Sequence, residues 1–258
     1  KMEIKRLNSE CVSCLVNKYL KKIPENTEES QKLKYMQRVL NIVAEAKVWQ
    51  SAPEIVPKIT AAQKEIFGFS EDFTEIKKYF NSLMLGLESQ LENNILNSKE
   101  PLKLAFLYAM LGNYIDFGAM LSVDENKLKE LLKNAEELTV DDNEFGLLKD
   151  DLKKSKKLIY ITDNCGEVVF DKLFIKAILK EYPNISVEAI VRGEDVLNDA
   201  TLTDAKQVFL DKLVTVTGNG TNIAGTCLSK LPADIKTKID NADIIISKLS
   251  LDFISANF

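Results

Sequence analysis

The chain contains Leu158-Ile159-Tyr160-Ile161-Thr162-Asp163-Asn164-Cys165-Gly166-Glu167, in which a short apolar run gives way to polar residues. An apolar run of this length, closed by polar residues and a glycine, is typical of a buried β-strand. In the following segment, 168–182, apolar residues recur at helical spacing on one face. A strand followed by such a helix predicts the first part of a β-α-β unit.

Three more strand-like runs follow along the chain, with helical periodicity between them. The strands are predicted at 187–191, 212–217 and 242–247, and the helices at 201–209 and 228–239. Strands that alternate with helices and are apolar almost throughout indicate a parallel sheet covered on both faces. Because crossovers in such sheets are right-handed, the C-terminal part is predicted to be α/β and Rossmann-like, a parallel sheet flanked by helices.

The N-terminal half has a different texture, in which apolar residues recur at spacings of three and four. This periodicity predicts a bundle of helices, which Pro53, Pro57 and Pro101 break into segments. The pattern changes after a charged stretch near residue 150. We therefore predict two domains, an N-terminal all-helical domain at 1–150 and a Rossmann-like α/β domain at 151–258.

The 258 residues are 45% hydrophobic and 28% charged, with a net charge of −5, as is usual for a globular protein. The acidic balance is spread along the chain and disfavours a nucleic-acid-binding surface. We expect neither a secretory leader nor a membrane-spanning segment. The expectation is a cytoplasmic protein with a small-molecule phosphate partner, no nucleic acid partner and no membrane partner. The sequence leaves the oligomeric state open.

The chain has no histidine, which excludes Ser-His-Asp and Cys-His sites, histidine-ligated zinc and an imidazole general base. Carboxylates, amides, lysines, cysteines or a bound metal must carry any reaction. The four cysteines are too sparse for a disulfide framework. Cys11 and Cys14 fit zinc ligands completed by Cys165 or Cys227, a redox pair, or packed structural thiols, and we favour the structural interpretation.

Polar residues follow two neighbouring strands of the predicted sheet. Asp163 and Asn164 come directly after the first strand, and Asp199 lies in the segment after the second. Because ligands bind outside the carboxyl ends of strands in open parallel sheets, we expect these side chains to lie together. Their oxygens are hard ligands of the kind that Mg²⁺ and Mn²⁺ prefer. We predict that the three bind a divalent metal ion and are the catalytic residues; for Asp199 taken alone, a helix cap is an equal alternative.

A glycine-rich segment after the third strand contains Gly218, Asn219, Gly225 and Thr226. It is predicted to end at the start of a helix, where backbone amides favour an anion. Lys248 adds a positive charge after the fourth strand. These residues together predict a phosphate site, with an ordinary turn and a solvated lysine as alternatives. The spacings of a P-loop and of a dinucleotide-binding loop are both missing.

At these residues the sequence resembles the damage-control phosphatases, a metal-dependent family related to proteins described as acidic-residue methyltransferases. The resemblance runs from Cys11 to Lys248. Its motifs are Glu10-Cys11-Val12-Ser13-Cys14, Gly112-Asn113-Tyr114-Ile115-Asp116-Phe117-Gly118, Thr162-Asp163-Asn164-Cys165-Gly166-Glu167, Arg192-Gly193, Asn198-Asp199-Ala200-Thr201, Gly225-Thr226 and Ala242-Asp243-Ile244-Ile245-Ile246-Ser247-Lys248.

The resemblance implies a helical domain joined to an α/β sandwich, with a divalent metal ion bound by Asp163, Asn164 and Asp199. It also implies hydrolysis of small phosphorylated metabolites, such as sugar phosphates and damaged phosphometabolites. The matching helix end places Asn113 and Asp116 at the rim of the same cleft as substrate-binding residues, with helix capping as their alternative.

The favoured mechanism is hydrolysis by water that a divalent ion (Mn, Mg, Co or Ni) activates, with Lys248 and the loop amides stabilising the phosphoryl oxygens. Asp163 as a covalent nucleophile ranks lower, because Asn164 follows it and no Asp-x-Asp pair is formed. Glu167 is a candidate contact to the metal ligands or to a substrate hydroxyl, or else a first-turn helix acid. The alternative functions are an S-adenosylmethionine-dependent carboxyl methyltransferase and a non-catalytic phosphometabolite-binding protein.

Overall fold

The computed structural model describes residues 6–69, 71–112, 132, 135, 138 and 140–248. They form two compact units. The first consists of 6–69, 71–72 and 223–227, and the second of 73–112, 132, 135, 138, 140–222 and 228–248. Across these ranges, no helix combines the length and the apolar character needed to cross a membrane.

The first unit contains three helices, α1 (Ser9–Lys21), α2 (Glu29–Glu45) and α3 (Ala52–Phe67). Their apolar faces meet in a core whose most buried side chains are Tyr19, Tyr35, Val39 and Ile59. Helical periodicity in this segment is therefore confirmed, since each helix contributes one buried stripe.

Two prolines that were expected to break this segment lie inside α3 instead. Helix α3 begins with a capping box between Ser51 and Glu54, and Pro53 occupies its first turn. Pro57 also lies within the helix. The expected break at Pro57 is wrong, because α3 continues through this residue to Phe67 and loses only the hydrogen bond that the missing N–H would have donated.

The second unit alternates helices with strands. Its elements are α4 (Thr74–Asn97), α5 (Pro101–Gly112), α6 (Asp142–Lys154), β1 (Lys157–Ile161), α7 (Glu167–Glu181), β2 (Ser186–Val191), α8 (Leu202–Gln207), β3 (Thr215–Gly218), α9 (Ala233–Asp240) and β4 (Ile244–Ser247). Short 3₁₀ turns at Leu210–Lys212 and Leu228–Lys230 precede β3 and α9.

The four strands form one parallel sheet in the order β3-β2-β1-β4. This order matches the first four strands of a Rossmann fold, and the predicted fold class is confirmed. Ile161 at the end of β1 is in register with Ile190 of β2 and Ser247 of β4. The residues that follow these strands therefore start from the same edge of the sheet.

Helices cover both faces of the sheet, as the apolar strands predict. Tyr160 of β1 faces the larger core, where Phe170 and Phe174 of α7 are buried with residues of α4 and α5. Ile159 and Ile161, the alternate positions of β1, face a smaller core that includes residues of α9. Because both faces of β1 are covered, the strand reads as a continuous apolar run.

The compact units do not coincide with the division near residue 150. Helices α4 and α5 precede that position, yet they pack against α7 in the unit that contains the sheet. Periodicity shows that one face of a helix is buried, but not which element covers it. The helix expected at 228–239 also begins later, at Ala233, after Pro232 at the preceding cap position. Proline is favoured next to the first turn of a helix, where its missing N–H removes no intrahelical hydrogen bond.

Candidate functional site

Backbone pairing between the segments that follow β1 and β2 brings the predicted metal ligands together. The amide of Ala200 donates to the carbonyl of Asp163 at 2.7 Å, and the amide of Cys165 donates to the carbonyl of Asn198 at 2.8 Å. These bonds form an antiparallel bridge between Asn164 and Asp199 beyond the parallel sheet. The segment after β2 thus runs back along the segment after β1.

Arg192, the residue directly after β2, lies between the two carboxylates of this group. Its Nε donates to Oδ2 of Asp199 at 2.6 Å, and its Nη2 lies 3.8 Å from Oδ1 of Asp163. All three residues are buried. A buried guanidinium compensates the charge of two carboxylates that would otherwise repel each other in a poorly hydrated site.

Sequence reasoning did not select Arg192 as a site residue. A cation at the end of a strand resembles a solvated strand end, and here the apolar run of β2 leads directly into it. The signal that was available is the length of this run, because a buried strand end delivers its next side chain into the interior rather than into water.

The carboxamide of Asn164 is held by two acidic side chains. Its Nδ2 lies 3.1 Å from Oδ2 of Asp163 and 3.3 Å from Oε2 of Glu167. Glu167 is the first residue of α7 and is fully buried. The turn into α7 passes through Gly166, whose φ of 72° is readily adopted only by glycine.

Helix α4 contributes a second anchor for this turn. Oδ1 of Asn81, a fully buried residue, accepts a hydrogen bond from the amide of Gly166 at 2.7 Å. Its Nδ2 donates to Oδ1 of Asp204 at 2.8 Å. Because Asp204 forms the capping box of α8 with Thr201, Asn81 links the turns that follow β1 and β2.

Lys248, which follows β4, is enclosed by carboxylates and a helix end. Its Nζ lies 2.5 Å from Oε1 of Glu167, 3.7 Å from Oδ1 of Asp171, and hydrogen bonds to the carbonyl of Ala109 near the end of α5. Burial lowers the pKa of this ammonium, but the charges of Asp171 and Glu167 outweigh burial and leave the pKa above its usual value. Lys248 is therefore a buried cation.

Asp171 is a buried acid on α7, one helical turn beyond Glu167. The hydroxyl of Tyr160 donates to its Oδ1 at 2.7 Å. Burial, with a contribution from the charge of Glu167, raises the pKa of Asp171 to about 7, although Lys248 opposes this change. Burial and the nearby Asp171 carboxylate raise the pKa of Tyr160 well above its usual value, so the phenol stays protonated.

The predicted phosphate residues do not all join this group. The backbone amide of Asn219, next to Gly218 at the end of β3, donates to the carbonyl of Val191 at 2.8 Å. The side-chain oxygen of Asn219, a fully buried residue, accepts from the amides of Gly193 and Thr221, each at 2.9 Å. Asn219 thus fixes the backbone of its own loop.

Two other predicted residues come from the glycine-rich segment after Asn219. Gly225 and Thr226 belong to the segment 223–227, which is part of the other compact unit. They do not lead directly into α9, because that helix begins only at Ala233. Asn113 and Asp116 lie outside the described residues.

The cysteines lie in contrasting environments. In α1, Cys11 is half-buried and Cys14 is exposed, so the second thiol is not packed within its unit. Cys165 is buried, and burial raises the pKa of its thiol to about 12. Among the described residues, Cys, Asp and Glu side chains form no group of three or more that could hold a metal ion.

The group formed by Asp163, Asn164 and Asp199 suits a hard divalent ion in its chemistry. It combines two carboxylates with one carboxamide. The nitrogen of the carboxamide is turned toward the acids, so its oxygen is the atom that could serve as a metal ligand. All three come from segments held by the backbone bridge rather than from a mobile surface. These residues can therefore hold such an ion, together with water or substrate oxygens.

A family model and two named relatives identify one family. The model of the damage-control phosphatase ARMT1-like domain matches residues 7–253. A damage-control phosphatase of Archaeoglobus fulgidus is 27% identical over 244 residues, which are 92% of this chain and 83% of that protein. One of Pyrococcus horikoshii is 26% identical over 250 residues, covering 94% and 83%. An uncharacterized protein of Methanocaldococcus jannaschii is 28% identical, covering 94% and 81%.

A solved structure is similar to this chain in fold. The crystal structure of a DUF89 family protein from Pyrococcus horikoshii matches with a TM-score of 0.76 and 25% sequence identity. The match covers 94% of this chain and 84% of that one. The similarity therefore extends over both halves of the sequence.

Proposed function

Because the chain belongs to the damage-control phosphatase ARMT1-like family, we propose that it is a metal-dependent phosphatase of small phosphorylated metabolites, such as sugar phosphates. The family resemblance of the sequence is confirmed, and the named relatives support a phosphatase-type function in general. Metal dependence and the substrate class go beyond what the names of these relatives support. The observation that carries the metal dependence is the convergence of Asp163, Asn164 and Asp199 in the segments that follow β1 and β2.

A divalent ion such as Mn²⁺, Mg²⁺, Co²⁺ or Ni²⁺, held by these three residues, would polarise a phosphoryl oxygen and lower the pKa of a bound water. The residues of the chain prepare the site for it. Arg192 fixes Asp199 by the 2.6 Å hydrogen bond and balances the negative charge of the pair. With no histidine in the chain, the carboxylates are the groups near the reaction that can accept a proton.

The phosphate contacts proposed from the sequence have unequal support. Lys248 carries a buried positive charge next to the acidic group, and Glu167 and Asp171 already balance that charge. A direct contact would require its ammonium to give up part of its bonding to Glu167 or Ala109. Phosphate binding by Gly218, Asn219, Gly225, Thr226, Asn113 and Asp116 stays a prediction.

The experiment is a screen for release of inorganic phosphate. The chain is stripped with a chelator, loaded separately with Mn²⁺, Mg²⁺, Co²⁺ or Ni²⁺, and supplied with a panel of sugar phosphates and nucleotide phosphates. We expect release that depends on the metal, that is lost in Asp163→Asn, and that is retained in Glu194→Gln. Glu194 is the matched control because it is an exposed acid in the segment after β2.

Three results would contradict the proposal. Equal phosphate release by the chelator-treated chain would remove the metal from the reaction. Transfer of a methyl group from S-adenosylmethionine to a carboxyl group, without phosphate release, would favour the methyltransferase. Binding of a phosphometabolite without turnover under every metal would favour a non-catalytic protein.

A further inference from the structure

The carboxamide of Asn164 has two ends of similar size and opposite hydrogen-bonding character. A divalent cation accepts the oxygen as a ligand and not the NH₂ group. A metal site that uses Asn164 therefore needs a neighbour that decides which end faces the ion. The neighbour must be an acceptor that is not itself required as a ligand.

Two carboxylates receive the nitrogen of this amide. Nδ2 of Asn164 lies 3.1 Å from Oδ2 of Asp163 and 3.3 Å from Oε2 of Glu167. An ionised carboxylate only accepts hydrogen bonds, so neither would tolerate the amide oxygen in this place. Asp163 is itself one of the proposed ligands. When Asp163 binds the metal, Glu167 is the acceptor that still fixes the orientation of Asn164.

Glu167 has little freedom to move. It is 0% exposed, and its other oxygen, Oε1, lies 2.5 Å from Nζ of Lys248. A Cβ atom added at Gly112 would lie only 2.8 Å from its Cγ, which shows how closely α5 approaches the side chain. Lys248 is fixed in turn by the carbonyl of Ala109 and by the neighbouring Asp171.

These contacts argue against a direct contact between Glu167 and substrate. Both of its oxygens already face protein partners, Asn164 on one side and Lys248 on the other. The side chain has no surface left for a substrate hydroxyl. Its position between the Lys248 ammonium and the Asn164 amide instead suits a residue that orients a metal ligand.

We propose that Glu167 is a positioning residue, which turns the Asn164 carboxamide so that Oδ1 is presented as a metal ligand, with Lys248 holding Glu167 in place. This inference rests on the proposed metal-dependent phosphatase function. Partners of this kind in characterised metal sites change metal affinity by about 10-fold to 100-fold when they are replaced. Replacing Glu167 is therefore expected to change the affinity for the metal rather than the affinity for the substrate.

The test compares Glu167→Gln with the wild type in two ways. The first readout uses metal-free protein labelled with ¹⁵N asparagine, in which the side-chain NH₂ signal of Asn164 is assigned by its loss in Asn164→Asp. We expect the signal to shift or split in Glu167→Gln, because glutamine can offer either end to the amide. The second readout is Mn²⁺ affinity by calorimetry, which we expect to fall by about 10-fold to 100-fold.

Glu181→Gln is the matched control, since Glu181 is an exposed acid at the other end of the same helix. It should leave both readouts unchanged. Should Glu167→Gln fail to fold with the Lys248 ammonium left unbalanced, the double variant Glu167→Gln/Lys248→Met removes that charge as well. The same two readouts then apply to the double variant, with the same expected changes.

Unchanged Mn²⁺ affinity together with an unchanged Asn164 signal would overturn the inference. A raised KM for the phosphate substrate at saturating Mn²⁺, with normal Mn²⁺ affinity, would also overturn it and make Glu167 a substrate contact. A wild-type chain that binds no Mn²⁺ would overturn both this inference and the proposed function. If Glu167→Gln kept the phosphatase activity and the Mn²⁺ affinity of the wild type, this inference would be overturned and the proposed function would stand.

Discussion

Arg192 donates a hydrogen bond from Nε to Oδ2 of Asp199 across 2.6 Å, and both side chains are buried. The same guanidinium lies 3.8 Å from the Asp163 carboxylate. It therefore supplies one positive charge to two buried negative ones. A divalent ion at the proposed site would supply two more, and the charge balance of this region should depend on both.

Arg192→Met is expected to lower the free energy of unfolding of the metal-free chain by about 3 kcal/mol, because it leaves buried carboxylates uncompensated. With saturating Mn²⁺ the loss should be smaller, since a bound cation replaces part of the missing charge. Urea denaturation with chelator and with Mn²⁺ measures both values. Arg38→Met, at an exposed position of α2, is the control and should change neither. An equal loss of unfolding free energy with chelator and with Mn²⁺ would show that Arg192 does not balance the charge of the metal ligands.

Asp171 should give the stability of the chain a distinct pH dependence. Burial raises its pKa from 3.8 to about 7, so the folded protein keeps this proton over a range in which the unfolded chain loses it. The stabilising effect of protonation is complete below about pH 4 and is lost as pH rises through about 7. The groups that face this carboxyl are Tyr160, Glu167 and Lys248.

Asp171→Asn removes this titration and keeps an oxygen that can accept from the Tyr160 hydroxyl. The difference in free energy of unfolding, variant minus wild type, is expected to become more positive between pH 5 and pH 8, by at most about 3 kcal/mol. Urea denaturation at a series of pH values measures it. Asp240→Asn, at an exposed position, should show a flat difference. A flat difference for Asp171→Asn as well would mean that this carboxyl is ionised throughout.

Asn81 should contribute to stability beyond its size, because it satisfies buried partners on two turns at once. Asn81→Leu leaves the amide of Gly166 without its acceptor and Asp204 without one donor. We expect a loss of about 2–4 kcal/mol in the free energy of unfolding. The exposed Asn93→Ala, on the same helix, is the control and should change it by less than about 0.5 kcal/mol. If Asn81→Leu also lost less than about 0.5 kcal/mol, water would have to replace the missing hydrogen-bond partners.

The sequence predicted the sheet because each strand is a short apolar run that leads into polar residues. It also predicted Asp163, Asn164 and Asp199 as neighbours, because the carboxyl ends of parallel strands share one edge. Asn81 and Arg192 could not be found in this way. Asn81 acts on Gly166 from 85 positions away in a different helix, and local periodicity carries no information about such a pair.

The predicted phosphate loop shows a second limit. The sequence predicts one anion-binding segment from Gly218 to Thr226, since its glycines precede a helical pattern. The structure instead assigns Gly225 and Thr226 to the other compact unit and delays the helix to Ala233. Glycine content indicates where a backbone can turn, but the packing of the turn decides what it faces.

Gly112→Ala tests how tightly α5 closes over Glu167. The new Cβ would lie 2.8 Å from Cγ of Glu167 and 3.1 Å from Cδ2 of Phe170. Both side chains are fully buried, so one of them or the end of α5 has to move. Overpacking of this kind typically costs about 1–3 kcal/mol. Displacement of Glu167 should also weaken Mn²⁺ binding, in the same direction as Glu167→Gln.

Gly86→Ala and Gly146→Ala separate this effect from backbone propensity. Both glycines lie in helices, and an added Cβ meets nothing within 4 Å at either position. Alanine is favoured over glycine in a helix by up to about 1 kcal/mol, so these two variants should be more stable than the wild type. Their Mn²⁺ affinity should be unchanged. If Gly112→Ala also gained stability and bound Mn²⁺ normally, Glu167 would have room to move, and its hold on Asn164 would be weaker than the contacts indicate.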